Sequence, residues 1–147
     1  MPQDQLANGS RVVCLPGDEE TIRCYSGVRL LILDEAARVP DELYYSVRPM
    51  LAVSRGILVA LSTPFGKRGW FYEEWVNDGS RWTRAKVPAS ECPRLTPGVL
   101  EEERRVMGDW WFSQEYGLEF RDTVDSLFLQ EDIDAALDTD LQPLILD

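Results

Sequence analysis

The sequence LLILDE at Leu30–Glu35 decides the fold, because an uninterrupted apolar run ends directly in two carboxylates. Such a run is typical of a strand buried on both faces of a parallel sheet. A second run, Ile57–Leu61, ends in the polar turn Ser62-Thr63-Pro64. Parallel strands present their carboxyl ends at one edge of an open α/β sheet, where ligands bind. We therefore expect the two carboxylates and this turn to lie together on one rim.

Between the two runs the pattern becomes helical. Pro40 suits the first turn of a helix, and apolar residues then recur at helical spacing to about Leu51. The sequence Ser54-Arg55-Gly56 separates this helix from the second run. A strand–helix–strand unit predicts a right-handed crossover between two neighbouring parallel strands.

The remaining patterns predict further helices and a few short strands. Helices are expected over Gly69–Val76, over Val99–Met107 after the N-cap pair Thr96-Pro97, after Asp109, and over Gln130–Leu137. Strands are expected at Arg11–Leu15, with Thr21–Tyr25 as its hairpin or edge partner, and at Arg81–Val87.

The composition sets limits on the function. With 147 residues and 44% hydrophobic content, the chain is large enough for one domain with its own core. It contains no histidine, which excludes Ser-His-Asp triads and metal sites with histidine ligands. No apolar run approaches the roughly 20 residues of a membrane span, and no secretion signal is visible. Cys14 and Cys24 are expected to be small buried side chains in a reduced, cytoplasmic protein.

The charge is distributed unevenly. Residues 1–72 are balanced, whereas residues 73–147 carry the whole net charge of −11. The second half therefore cannot form the basic stripe of a nucleic-acid-binding surface. In the first half, Lys67 and Arg68, with Arg55 as a neighbour, could contact phosphate or DNA, or could be solvated turn residues.

The Asp-Glu pair at a strand end suits nucleotide hydrolysis, in which one carboxylate holds Mg²⁺ and the other orients the attacking water. Taken alone, Asp34 and Glu35 could simply cap the next turn, and a polar turn with proline is ordinary after a strand. Both features in one crossover unit are far more specific, because they would share a ligand at one edge of the sheet.

From Asn8 to Tyr72 the sequence resembles the central part of the ATPase domain of the large terminase subunit, which packages double-stranded DNA into tailed-phage capsids. The resemblance implies that Asp34 helps to hold Mg²⁺ through water and that Glu35 is catalytic. It also implies a coupling motif at Ser62, Thr63 and Pro64, followed by a glycine-containing turn with Lys67 and Arg68.

The same resemblance implies an α/β fold with the parallel-sheet core of a P-loop (ASCE-type) ATPase and a mainly helical C-terminal segment. Residues 1–90 would form the partial ATPase core, and residues 91–147 an acidic segment leading toward a nuclease domain. ATP and Mg²⁺ are the implied cofactors. Double-stranded DNA, the portal and the small terminase subunit are the implied partners.

One part of a P-loop ATPase is missing from the sequence. The phosphate loop requires Gly-x-x-x-x-Gly-Lys-Ser/Thr, but Leu61 stands where the first glycine should be and Arg68 follows Lys67. We therefore expect no ATP turnover by this chain alone. Without the phosphate-loop strand, Ile57–Leu61 would present an open edge. That edge predicts self-association, pairing with another chain, or cover by an N- or C-terminal segment.

Two other interpretations stay open. The chain could be a non-catalytic remnant that acts as an interaction module, or part of another motor such as a helicase. The aromatic residues after Pro64 favour a terminase over a helicase. These aromatics could stack on bases, but their helical clustering favours core packing.

Overall fold

The computed structural model describes residues 3–17, 22, 25–77, 79, 81–122 and 135–136. Within them lie the strands β1 (Gln3–Gln5), β2 (Arg11–Val13), β3 (Leu30–Leu33) and β4 (Ile57–Ala60). The α-helices are α1 (Asp41–Val47), α2 (Pro49–Ala52), α3 (Gly69–Val76) and α4 (Pro97–Glu115). Single 3-10 turns occur at Ala36–Arg38 and Ala89–Glu91. The fold is α/β, as the sequence predicts.

The strands β3 and β4 pair in parallel, which confirms the strand–helix–strand prediction. Leu30 lies opposite Ile57, and Leu33 lies opposite Ala60. The ladder continues past β4, where the Leu61 N–H donates to the Leu33 carbonyl at 2.9 Å. The connection between the two strands contains α1 and α2.

Only one face of this sheet is covered within the described residues. Leu31 and Leu33 of β3, with Leu58 and Ala60 of β4, pack toward the core of α1, α2 and α3. On the other face Leu30, Ile32 and Ile57 are 53%, 54% and 64% exposed. The expectation that both strands are buried on both faces is therefore wrong, because no described element lies on that second face.

The predicted helix from Pro40 to Leu51 is two helices. Pro40 is the N-cap residue of α1, which ends at Val47, and α2 begins at Pro49. The break has a simple cause, since a proline has no N–H to donate to the carbonyl four residues earlier. Both helices still supply core residues, among them Leu43, Val47 and Met50, which surround Ile22.

The aromatic core lies between α1 and α3. Trp70 is 2% exposed and stacks on Tyr44, with ring centroids 3.9 Å apart and an interplanar angle of 7°. The Trp70 indole N–H donates to the Val39 carbonyl at 3.0 Å. The preference for core packing over base stacking is thus confirmed for Trp70.

One predicted strand assignment is wrong, and another falls mostly outside the described residues. β2 pairs in an antiparallel ladder with β1, Gln3 lying opposite Val13. Of its predicted partner Thr21–Tyr25, only Ile22 and Tyr25 are among the described residues. Arg81–Val87 contains no strand. Side chains attach that segment to α3, because the Trp82 indole N–H donates to Glu74 at 2.7 Å and the Arg84 guanidinium donates to the Glu74 carbonyl.

The C-terminal predictions have mixed outcomes. Thr96 caps α4 by accepting the Val99 N–H, as expected. The sequence predicts that one helix ends at Met107 and that another begins after Asp109. The structure confirms this break, because Gly108 interrupts α4 with φ 81°. Gln130–Leu137 falls outside the described residues except for residues 135–136.

The cysteine prediction fails for Cys14, which is exposed and has a free thiol. Exposure alternates along this segment: Val12 and Cys14 are exposed, whereas Leu15 packs against the core. Cys24 lies outside the described residues. None of the helices in the described ranges combines the length and hydropathy that crossing a bilayer requires.

Candidate functional site

The turns that follow β3 and β4 are bonded to each other. The Ala36 N–H donates to the Leu61 carbonyl at 2.9 Å, and the Ala37 N–H donates to the Ser62 hydroxyl oxygen at 3.1 Å. Asp34 and Glu35 come directly before these donors in the chain. The prediction that the carboxylates and the polar turn share one rim of the sheet is therefore confirmed.

Glu35 turns the chain at this rim. Its backbone is left-handed, with φ 50° and ψ 41°, a conformation that is uncommon for residues other than glycine. The Glu35 N–H donates to the Asp34 Oδ1 at 3.1 Å. Both residues are exposed, so both carboxylates are accessible to a ligand.

Arg38 links three segments at the rim and is not among the residues that the sequence predicts. Its guanidinium lies 3.8 Å from the Glu35 carboxylate and 3.7 Å from the Glu115 carboxylate, and 4.2 Å from the centroid of the Phe65 ring. Exposed ion pairs of this kind each contribute about 0–1 kcal/mol. These contacts therefore stabilise the fold only slightly.

The coupling-like turn is partly inside the molecule. Ser62 and Thr63 are half-buried and Pro64 is buried. The Ser62 hydroxyl oxygen accepts a hydrogen bond from Ala37, and its proton has no acceptor among the residues that the structure describes. Thr63 has no side-chain hydrogen bond to any other residue that the structure describes.

The three basic residues singled out from the sequence are separated. Lys67 pairs with Asp122, with 3.1 Å between Nζ and Oδ2, whereas Arg68 is exposed. Arg55 comes before the N-terminal end of β4, whereas the rim follows the C-terminal end of that strand. The structure does not gather these cations into one patch.

The carboxylates at the rim fit a shared Mg²⁺ ion better than a cage made by the protein. In the described residues no three His, Cys, Asp or Glu side chains cluster as a metal site. The rim offers the exposed Asp34 carboxylate, with the hydroxyls of Ser62 and Thr63 on the next turn. Mg²⁺ commonly binds one or two carboxylates together with water and substrate phosphates. The oxygen donors at the rim match this kind of site, in which water and substrate phosphates complete the coordination of Mg²⁺.

Comparisons with known proteins identify the family of this chain. The family described as "Terminase large subunit, T4likevirus-type, N-terminal" matches residues 3–135. Curated large terminase subunits of Thermus phage G20c and Thermus virus P23-45 are each 29% identical over 116 residues. These alignments cover 67% of the chain but only 24% of each relative.

Two solved structures of the large terminase ATPase domain of Thermus phage P74-26, one of them a point mutant, are also similar. Each is 28% identical, with TM-scores of 0.49 and 0.48. The alignments cover 67% and 65% of this chain, and 46% and 45% of those structures. Because the family match extends over most of the sequence, the chain belongs to the T4likevirus-type large terminase subunit family, in its N-terminal region.

Proposed function

We propose that this chain is part of an ATP-driven motor that packages double-stranded phage DNA in the cytoplasm of the host cell. The observation that carries the proposal is the bonded pair of turns, in which the Ala37 N–H beside Asp34 and Glu35 donates to Ser62. Family membership supports the same function. The portal and the small terminase subunit are the partners that we propose for the assembled motor.

In this proposal Asp34 and Glu35 have different roles in ATP hydrolysis. Asp34 would hold Mg²⁺, through water, against the phosphates of ATP; the ion supplies positive charge that offsets the charge of the phosphoryl group. Glu35 would accept the hydrogen bond of the water that attacks the γ-phosphorus as the bond to the bridging oxygen breaks. Lys67 and Arg68 would contact phosphate or DNA beyond the turn.

The hydrogen bond between Ala37 and Ser62 would connect hydrolysis to movement. A displacement of the Glu35 turn would be transmitted to the Ser62–Pro64 turn, because Ala37 is bonded to Ser62 and Ala36 is bonded to Leu61, directly before that turn. Ser62, Thr63 and Pro64 would thus act as the coupling motif. Residues 91–147 would continue the chain from the ATPase core of residues 1–90 toward a nuclease domain.

The phosphate loop would have to come from outside this sequence, either from another chain or from a further part of a longer protein. Within the described residues β4 pairs only with β3, so its other edge is open. Ile57 and Leu61 are exposed along it. We propose that the segment carrying the phosphate loop adds a strand at this edge.

The test is the variant Glu35→Gln in an assembly that supplies the phosphate loop. ATP turnover should fall by about 10²–10⁴-fold, the usual effect of losing a general base, while nucleotide binding is retained. Glu42→Gln is the matched control, because Glu42 is an exposed glutamate in the first turn of α1 and forms no ion pair with another described residue. Unchanged turnover in the Glu35 variant would instead favour a non-catalytic interaction module.

The chain by itself should show no measurable ATP hydrolysis, because phosphoryl transfer depends mainly on positioning and charge stabilisation by the missing loop. Phosphate release from the purified chain, with and without Mg²⁺, measures this. Hydrolysis by the wild-type chain that disappears in Glu35→Gln would show that no further phosphate loop is required.

A further inference from the structure

An open cavity lies away from the rim, at the beginning of β4. It has a volume of about 440 Å³ and is lined by residues of α1, α2, the start of β4, Glu74 of α3, and Arg81 with Trp82. Ligand pockets in proteins commonly measure about 300–1,000 Å³, so the cavity can hold a small molecule.

The charge of the lining is positive although the chain is acidic overall. Three arginines line the cavity: Arg48, Arg55 and Arg81. Arg55 and Arg81 form no hydrogen bond or ion pair with another residue that the structure describes. Glu74 is the single carboxylate among the lining residues.

The Glu74 carboxylate is already occupied by neighbouring donors. Its Oε1 accepts from the Tyr44 hydroxyl at 2.9 Å, and its Oε2 accepts from the Trp82 indole N–H at 2.7 Å. The Arg48 guanidinium lies 3.8 Å from Oε1 and also donates to the Tyr44 oxygen at 3.2 Å. Glu74 thus balances Arg48, and the charges of Arg55 and Arg81 remain available to an anion.

The remaining wall is apolar and aromatic. Leu51 and Leu58 line it, and Trp82 is half-buried at its edge with its indole N–H fixed by Glu74. A fixed indole, beside guanidinium groups that have no partner among the described residues, suits a ligand that combines a planar ring with an anionic group. Arginine forks bind phosphate in a bidentate manner, and bases stack on aromatic side chains.

We propose that this cavity binds the phosphate group and base of a nucleotide, with the phosphate on Arg55 and Arg81 and the base against Trp82. The site lies at the start of β4, whereas Asp34 and Glu35 lie beyond the ends of the paired strands. It is therefore separate from the catalytic rim. The nucleotide could be free or part of a DNA strand, since both offer the same two groups.

The full chain can be titrated with adenosine monophosphate in buffer containing EDTA, while the indole N–H signals are followed by NMR. The Trp82 signal, assigned through Trp82→Phe, should shift and saturate. Arg55→Gln and Arg81→Gln should each weaken binding by about tenfold, which corresponds to 1.4 kcal/mol. A parallel titration with a short single-stranded oligonucleotide identifies the source, because the tighter ligand is the natural form of the nucleotide.

Two controls make the result decisive. Arg105→Gln should leave binding unchanged, because Arg105 is exposed on α4 and pairs with Glu102. Adenosine without phosphate should bind at least about tenfold more weakly. The proposal is overturned by equal binding of adenosine, by no saturable shift below about 10 mM ligand, or by binding that survives both arginine substitutions and is lost in Asp34→Asn.

Discussion

Glu35 has a backbone conformation that glycine adopts without a steric penalty and that costs other residues about 1–2 kcal/mol. The position at the end of β3 was predictable because the apolar run stops there, but the left-handed turn was not. It depends on the bonds of Ala36 and Ala37 to a strand that comes much later in the chain. The fold thus imposes this conformation on the residue that we propose as catalytic.

The strain can be measured by comparing two substitutions. Glu35→Gly should be more stable than Glu35→Ala by about 1 kcal/mol, because only alanine retains the unfavourable left-handed contact. Urea unfolding gives both free energies of unfolding. The same pair at Glu42, inside α1, is the control, and there alanine should be the more stable by about 1 kcal/mol. Equal stability of the two Glu35 variants would show that the turn is not left-handed in solution.

Tyr44 provides a second prediction at this scale, concerning pH. Burial, together with its hydrogen bond to Glu74, raises the pKa of Tyr44 from its ordinary 10.0 to about 12. The folded state favours the protonated phenol, so its contribution to stability is complete below pH 10 and is lost as the pH rises toward about 12. The free energy of unfolding should therefore fall more steeply over this window in the wild type than in Tyr44→Phe.

Urea unfolding between pH 8 and 12 measures this difference in slope. Tyr45→Phe is the matched control, because Tyr45 is the next residue of α1 and is 56% exposed. Its pH dependence should follow that of the wild type. If the Tyr44 and Tyr45 variants had the same slope, Tyr44 would not be the group that titrates with the fold.

Among the elements, the parallel strands were predictable and their surroundings were not. Apolar runs at β3 and β4 with a helical pattern between them specify the pairing locally. Which faces are covered depends on where α1, α2 and α3 pack, and this is a property of the whole chain. Pro49 divides the predicted helix for a local reason that could have been read from the sequence.

The β1–β2 hairpin could also have been predicted. The Leu6 N–H donates to the Ser10 carbonyl, and the Ser10 N–H donates to the Asn8 side chain, so the chain reverses at Asn8-Gly9. Asn-Gly is a strong hairpin signal. This local turn pairs Arg11–Val13 with the strand before it.

Gly56 gives the prediction for this scale, because the turn from α2 into β4 passes very close to the strand before it. A Cβ at Gly56 would lie 2.2 Å from the Val28 carbonyl oxygen and 2.7 Å from Leu51. Gly56→Ala should destabilise the fold by about 3 kcal/mol, since backbone must move to make room. Gly98→Ala is the control, because a Cβ there meets nothing within 4 Å. Thermal unfolding of both variants decides the matter, and equal midpoints would contradict the close approach.

For the molecule as a whole, the uncovered sheet predicts self-association. Leu30, Ile32 and Ile57 form an exposed apolar surface next to the open edge of β4. An edge of this kind pairs readily with another chain, and an added lysine blocks such pairing. The wild-type chain should therefore form concentration-dependent oligomers, whereas the Ile57→Lys variant should stay monomeric. Sedimentation velocity measures the difference.

Val53→Lys is the control for that experiment, because Val53 is 83% exposed but lies after α2 and outside the sheet. It should associate like the wild type. A wild-type chain that stays monomeric at high concentration would contradict the prediction.

The position of Arg38 has a mechanical consequence for the molecule. One side chain touches Glu35 at the rim, Phe65 after the coupling-like turn and Glu115 at the end of α4. In the proposed function, a movement of Glu35 toward the attacking water would loosen its contact with Arg38 and leave that guanidinium to Phe65 and Glu115. The last turn of α4 would then be a distant segment whose ion pair changes with the nucleotide state.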